Sequence, residues 1–213
     1  SASFAGGVGG NFGSMAKPMH AGRAAAAAIT AVDWAQLGMT AGADAIGARD
    51  GLLSALSTHG RVNLDGVTRL GERWFSMTTP LVYKKYPVCF ATHRPVDAIV
   101  ELAREHRLNA DDVADMHISV RGTAARVLRF DRPRSALEAK FSMQFAAACA
   151  VLRGGIRLVD LEDSFVGSAP VQSFFEKVRF THLPPLADGS PPLSDRVVIT
   201  TRDGRVLDSG DLL

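Results

Sequence analysis

The chain predicts an α+β fold: part of an all-helical domain over residues 1–60, a linker at 61–75, and a smaller mixed α+β domain over 76–213. Three observations predict it. The first sixty residues are alanine-rich and helical in pattern. Strand-forming texture begins only after Trp74. Beyond Pro95, helical stripes and short alternating runs intermix, as they do in α+β units.

Taken in order, Pro18 reads as the first residue of a long helix running to Leu37 and closed by Gly38. Its five-alanine run, Ala24–Ala28, suits close approach of a neighbouring helix. A second helical stretch is expected from about Thr40 to Ser57, ending near Gly60. The stretch WFSMTTPLVYKKYP, from Trp74, reads as linker and strand. Pro95 then opens a helix through about His106, with Val96, Ile99, Val100 and Ala103 on one face. DMHISVRG alternates Met116, Ile118 and Val120 as a strand does, and the paired Asp111–Asp112 before it read as a cap and turn.

Ser135 and Glu138 form an S-x-x-E capping box for a helix striped by Phe141, Phe145, Cys149 and Leu152 and ended by Gly154–Gly155. Short helices follow around Leu161 and over Val171–Phe175. KVRFTH is a strand, and RVVITTRDGRVLDSG is a hairpin turning at Asp203–Gly204. LPPLADGSPPL, residues 183–193, reads as a loop.

Composition narrows the function. Hydrophobic residues make up 46% and charged residues 22%, ordinary values for a globular protein. A formal net charge of +2 makes no general case for nucleic acid or membrane as a partner, so any basic site must be local. Two cysteines, Cys89 and Cys149, form neither a disulfide framework nor a zinc motif, and the expected compartment is the reducing cytoplasm. No apolar run is long enough for a membrane span. Phosphate-loop, dinucleotide-loop, zinc-protease and nucleophile-elbow motifs are absent, and His59, His106, His117 and His182 lack metal-ligand spacing.

Two stretches carry chemistry. In NFGSMAKPMHAGRAA, Lys17 stands at the N-cap, where Ser, Thr, Asp or Asn normally accepts hydrogen bonds. Lysine accepts none and adds charge to an already positive helix end. An external anion resolves the conflict, because free N–H groups beside a cation bind carboxylate or phosphate. Gly9, Gly10 and Gly13 would let such a ligand approach the backbone, and His20 follows on the next turn. In KKYPVCFATHRPVDA, His93 and Arg94 precede a second Pro-started helix, with Lys84, Lys85 and Cys89 upstream. Two basic helix starts point to a ligand with several carboxylates. The alternative reading has Lys17 and the lysine pair in solvent and Cys89 as a small buried residue.

GSMAKPMHAGRAA, KKYPVCFATHRPVDA and EAKFSMQFAAA, in this order and spacing, resemble the MmgE/PrpD family over most of the chain. That family includes 2-methylcitrate dehydratases, cis-aconitate decarboxylases and iminodisuccinate epimerases. The resemblance implies an active site between a discontinuous helical domain and an α+β domain, usually in a homodimer, with no metal or organic cofactor. The family's motif lysines and histidines fall on Lys17, His20, Lys84 and His93, the expected catalytic residues, and Lys17, Lys84, Cys89 and Arg94 are the expected substrate-binding residues. Cys89 stands where some decarboxylase-like members have histidine, which favours a dehydratase of the 2-methylcitrate type. The family also uses an Asp and histidines upstream, so the resemblance casts this chain as the middle-to-late part of such an enzyme, with little activity alone. The rival expectation is a non-catalytic carboxylate-binding or assembly domain.

Overall fold

The computed structural model describes residues 2–4, 6–57, 62–63, 71–72, 74–78, 81–184 and 195–212. The chain falls into two compact units, one of Ser1–Val8 and Ala16–Tyr83, the other of Gly9–Met15 and Lys84–Leu213.

In the first unit α1 spans Ala16–Gln36. It begins before Pro18, so Lys17 is the second helical residue and not the N-cap. Proline is tolerated anywhere in the first turn, where its missing N–H has no acceptor. The helix ends one residue earlier than Leu37. Met39 N–H donates to Trp34 O at 2.9 Å and Gly38 N–H to Ala35 O at 3.0 Å, a Schellman closure that places Gly38 at φ +90°.

The expected helix over 40–57 is instead a run of turns followed by the five-residue α2, Leu52–Leu56. Glycines 42, 47 and 51 weaken helix across this stretch. Asp44 Oδ1 accepts from Gly47 N–H at 2.8 Å, a local bond that competes with helix. No strand forms among the described residues of 74–88: α3 occupies Phe75–Thr78 and residues 81–84 run without a ladder. Pro80 and Pro87 have no N–H to give a strand partner. Gly60, His59 and most of the linker at 61–75 lie outside the described residues, as does most of 183–193.

The second unit is α+β. After the turn Phe90–Thr92, α4 spans His93–Glu105. β1 (Val113–Arg121) leads to α5 (Ala136–Ala139), α6 (Met143–Arg153), α7 (Asp163–Val166) and α8 (Ala169–Phe174). β2 (Val178–Leu183), β3 (Arg196–Thr201) and β4 (Val206–Asp208) complete a four-stranded mixed sheet in the order β2-β1-β3-β4. β1 pairs parallel to β2, with Ile118 opposite Phe180, and antiparallel to β3, with Ile118 opposite Val197. The alternation read in β1 is real: Met116, Ile118 and Val120 are buried and His117 is exposed. The hairpin β3–β4 turns through Gly204 at φ +86°.

α4 and α6 pack on each other and on the sheet, α4 against β3 and α6 against β2. Val96, Ile99 and Leu102 supply the buried face of α4, while Val100 is half-buried at its edge. The single helix expected after Ser135 is two. Ser135 Oγ accepts from Glu138 N–H, but the Glu138 carboxylate turns to Arg134 N–H instead of closing the box. Ser142 then caps a second start, its Oγ accepting from Phe145 N–H at 3.1 Å, and Phe141 lies in the break. Phe145 and Cys149 are fully buried in α6, and burial pushes the Cys149 thiol pKa far up.

Of the glycines expected to admit a ligand, Gly13 does not stand open, whereas a Cβ on Gly9 would meet only the Phe12 ring, at 4.0 Å. Gly7, outside that expectation, is also filled. A Cβ on Gly13, at φ +83°, would lie 2.4 Å from the Phe130 ring. A Cβ on Gly7, at φ +115°, would lie 2.9 Å from His20 Nδ1. Both glycines make room for aromatic rings of the protein itself.

Candidate functional site

Lys84, Cys89, His93 and Arg94 come together on one continuous segment of the second unit. Residues 85–88 run as bends toward the Phe90–Thr92 turn, whose first carbonyl accepts from His93 N–H, and α4 follows directly. The helix therefore starts at His93, two residues ahead of Pro95, and both basic residues lie inside its first turn. No side chain caps this start, because the Thr92 hydroxyl donates to Cys89 O at 2.8 Å instead of accepting from the helix. Cys89 is tied into the fold by its backbone, its N–H donating to Lys140 O at 2.9 Å.

His93 is buried to 6% exposure, and its Nε2 has no hydrogen-bond partner among the described residues. Its ring lies 5.3 Å from Tyr86, edge-on, and 5.0 Å from Phe90. Burial in this aromatic setting pulls the imidazole pKa below its ordinary value. The Lys84 charge pulls the same way, against the Val88 and Tyr86 carbonyls and Asp97. A neutral imidazole with a free nitrogen can accept or relay a proton. Lys84 Nζ donates to Val88 O at 2.9 Å, which fixes the ammonium and uses one of its three donors.

Arg94 has a different role. Its guanidinium pairs with Asp195 at 2.9 Å, and that carboxylate is almost fully buried. Asp195 also accepts from Arg121 N–H at 3.2 Å. Burial raises the Asp195 pKa, and Arg94 opposes the shift. The pair ties α4 to the residue just before β3, which is structural work.

Lys17 and His20 stand on the first turns of α1 in the first unit. Lys17 is exposed and His20 half-buried. His20 and Arg23 line a hollow of about 340 Å³ with Phe4, Gly6 and three alanines of the helix.

Sequence reasoning missed Tyr86 and Asp97. Tyr86 Oη donates to Asp97 Oδ1 at 2.7 Å, and Lys85 Nζ donates to the same oxygen at 2.5 Å. Burial raises the Tyr86 pKa, with the Asp97 bond adding to it. Burial pushes the Asp97 carboxyl up, but the Lys85 and Tyr86 bonds outweigh it and leave the pKa below the ordinary value. The available signal was Asp97 four residues after His93, which places both on one helix face.

Among the described residues no group of three His, Cys, Asp or Glu side chains could hold a metal ion, and no helix is long and apolar enough to cross a membrane. His117 Nε2 meets Thr181 Oγ1 at 2.9 Å and His182 Nε2 meets Gly122 O at 2.8 Å, the two histidines standing on β1 and β2.

Comparison with known proteins adds an independent line. A family model described as the MmgE/PrpD C-terminal domain matches residues 86–211, more than half of the chain. Cis-aconitate decarboxylase of Mus musculus is 24% identical over 201 residues, covering 91% of this chain and 40% of the relative. The Homo sapiens protein of the same name is 24% identical over 198 residues, with the same two coverages. The chain thus spans about two fifths of the length of these curated relatives.

Proposed function

Because the chain belongs to the MmgE/PrpD family, we propose that it serves a cofactor-independent lyase acting on a small di- or tricarboxylate. The observation that carries the reading is at the start of α4: a buried histidine, His93, whose Nε2 is unpartnered among the described residues, with the Lys84 ammonium acting on its ring. A preset ammonium stabilises carboxylate charge without reorganising during reaction.

In the dehydratase reading, a base takes the proton α to a carboxylate. The electron pair forms the new C=C bond, and the β-hydroxyl leaves as water after receiving a proton. Charge accumulates on the α-carboxylate, where Lys84 is proposed to hold it, and neutral His93 is proposed as a proton carrier. Lys17 and His20 are proposed as a second carboxylate-binding and proton-handling pair. Cys89 is proposed to line the substrate, and Arg94 to act indirectly through its pair with Asp195.

A second reading has specific support, since both mammalian relatives are cis-aconitate decarboxylases. There the C–C bond to a carboxylate breaks, its electron pair stays on carbon, and a proton then quenches that carbon. The same cations would serve. A homodimer in the cytoplasm is part of the proposal in either reading.

Incubating the protein with 2-methylcitrate and with cis-aconitate, while following loss of water and release of carbon dioxide separately, tests both. Turnover lost in K84M and K17M supports the reading, and the product decides between the two reactions. Carboxylate binding by the wild-type chain that is lost in K84M or K17M, with no turnover of either substrate, would favour the non-catalytic domain.

A further inference from the structure

Asp97 lies one turn beyond His93 on the same face of α4 and makes two bonds with a single oxygen. Its Oδ1 accepts from Tyr86 Oη at 2.7 Å and from Lys85 Nζ at 2.5 Å. Lys85 and Tyr86 are the two residues that follow Lys84. The Tyr86 ring, 7% exposed, is the wall that meets His93 edge-on at 5.3 Å. One carboxylate therefore fastens the segment carrying Lys84 onto the helix carrying His93.

The side chain of Asp97 is 47% exposed and that of Lys85 65% exposed. An ion pair so open contributes little to stability. The phenol bond differs, because it fixes the tilt of a buried ring against a buried imidazole.

We infer that Asp97 is a positioning residue for the Lys84–His93 site, acting through Tyr86 on the imidazole and through Lys85 on the backbone that carries Lys84. The inference rests on the proposed reading that Lys84 and His93 handle a carboxylate substrate. The charged and polar groups acting on the His93 ring are the Lys84 ammonium, the Asp97 carboxylate and the carbonyls of Val88 and Tyr86. Replacing Asp97 by Asn keeps an acceptor for Tyr86 but removes the negative charge. Replacing it by Ala removes both.

The test uses the full chain, citrate as the probe, and NMR titration of the His93 ring in wild type, D97N, D97A, Y86F, D97A/Y86F and K84M. D97A is expected to weaken citrate binding about tenfold, the scale of one hydrogen bond to a charged group. D97A/Y86F is expected to be no worse than D97A alone, since the two residues act as one unit. D97N is expected to titrate His93 at lower pH than wild type while retaining most of the binding. Its near-identical shape keeps the test available if D97A does not fold.

An unchanged His93 titration in D97N, with unchanged His93 ring shifts in D97A or Y86F, overturns the positioning role whatever citrate does. Citrate binding that is absent in wild type, or equal in K84M, overturns the reading of the site instead.

Discussion

α1 and α6 are both alanine-rich helices, yet α6 buries eight of its eleven residues and α1 buries none of its twenty-one. Alanine provides helix propensity to each. It does not provide a partner. α6, in which Ala146–Ala148 and Cys149 are fully buried, packs against α4, α8 and β2. In α1, Ile29, Val32 and Trp34 remain 66%, 56% and 41% exposed within this chain. Composition forms the helix, while packing decides what the helix is for.

The comparison is broken most easily in α6. Phe145 is fully buried and meets Phe165 edge-on at 6.3 Å. Phe145→Ala is expected to cost about 3–5 kcal/mol, the usual range for a lost core aromatic, read from urea unfolding of the second unit. A loss under about 1 kcal/mol would mean that this layer is not a packed core.

The next test adds volume to matched alanines. Ala147→Leu should cost about 1–3 kcal/mol, because α6 has no space for the branch. Ala25→Leu, on the exposed surface of α1, should stay within about 0.5 kcal/mol. Equal costs would erase the distinction between the two helices.

A smaller effect belongs to α4, which packs on α6. The His93 pKa is lowered from the ordinary 6.5 by burial. Near that pH the unfolded chain therefore holds more protons at this site than the folded one, and stability is lost as pH falls through the unfolded value. The urea midpoint should fall between about pH 7.5 and about pH 5.5, the range where histidine titrates. His93→Gln should flatten that fall, and an identical slope in the variant would exclude His93 as its source.

The smallest effects are at the caps and the open face. Ser142→Ala should cost about 1 kcal/mol by uncapping α6. Val32→Ala should cost no more than about 0.5 kcal/mol, and both are measurable by the same urea titration.

Much of the fold was legible in the sequence because its signals are local. The alternation of Met116, Ile118 and Val120, the stop at Gly38 and the turn at Asp203–Gly204 depend on near neighbours, and all three stand in the structure. The helix expected over 40–57 fails for a local reason, namely glycines at 42, 47 and 51. The break before Ser142 was also in plain view as a second serine cap, hidden by the continuous apolar stripe around it.

For the candidate site, the sequence by itself determined only which residue types are present and raised an expectation about the ligand. Lysines and histidines beside Pro-started helices, in an order resembling one family, called for an anion with several carboxylates. Tertiary structure decided the rest. It buried His93 between Tyr86 and Phe90, left Nε2 without a partner among the described residues, and committed Arg94 to Asp195 from the far end of the chain. It also filled the space over Gly13 with Phe130, and over Gly7 with His20. The physical reason is the same in each case. Residue type fixes charge, propensity and hydrogen-bonding capacity, but burial and pairing depend on distances set only when α4, the sheet and the loop before them close on one another.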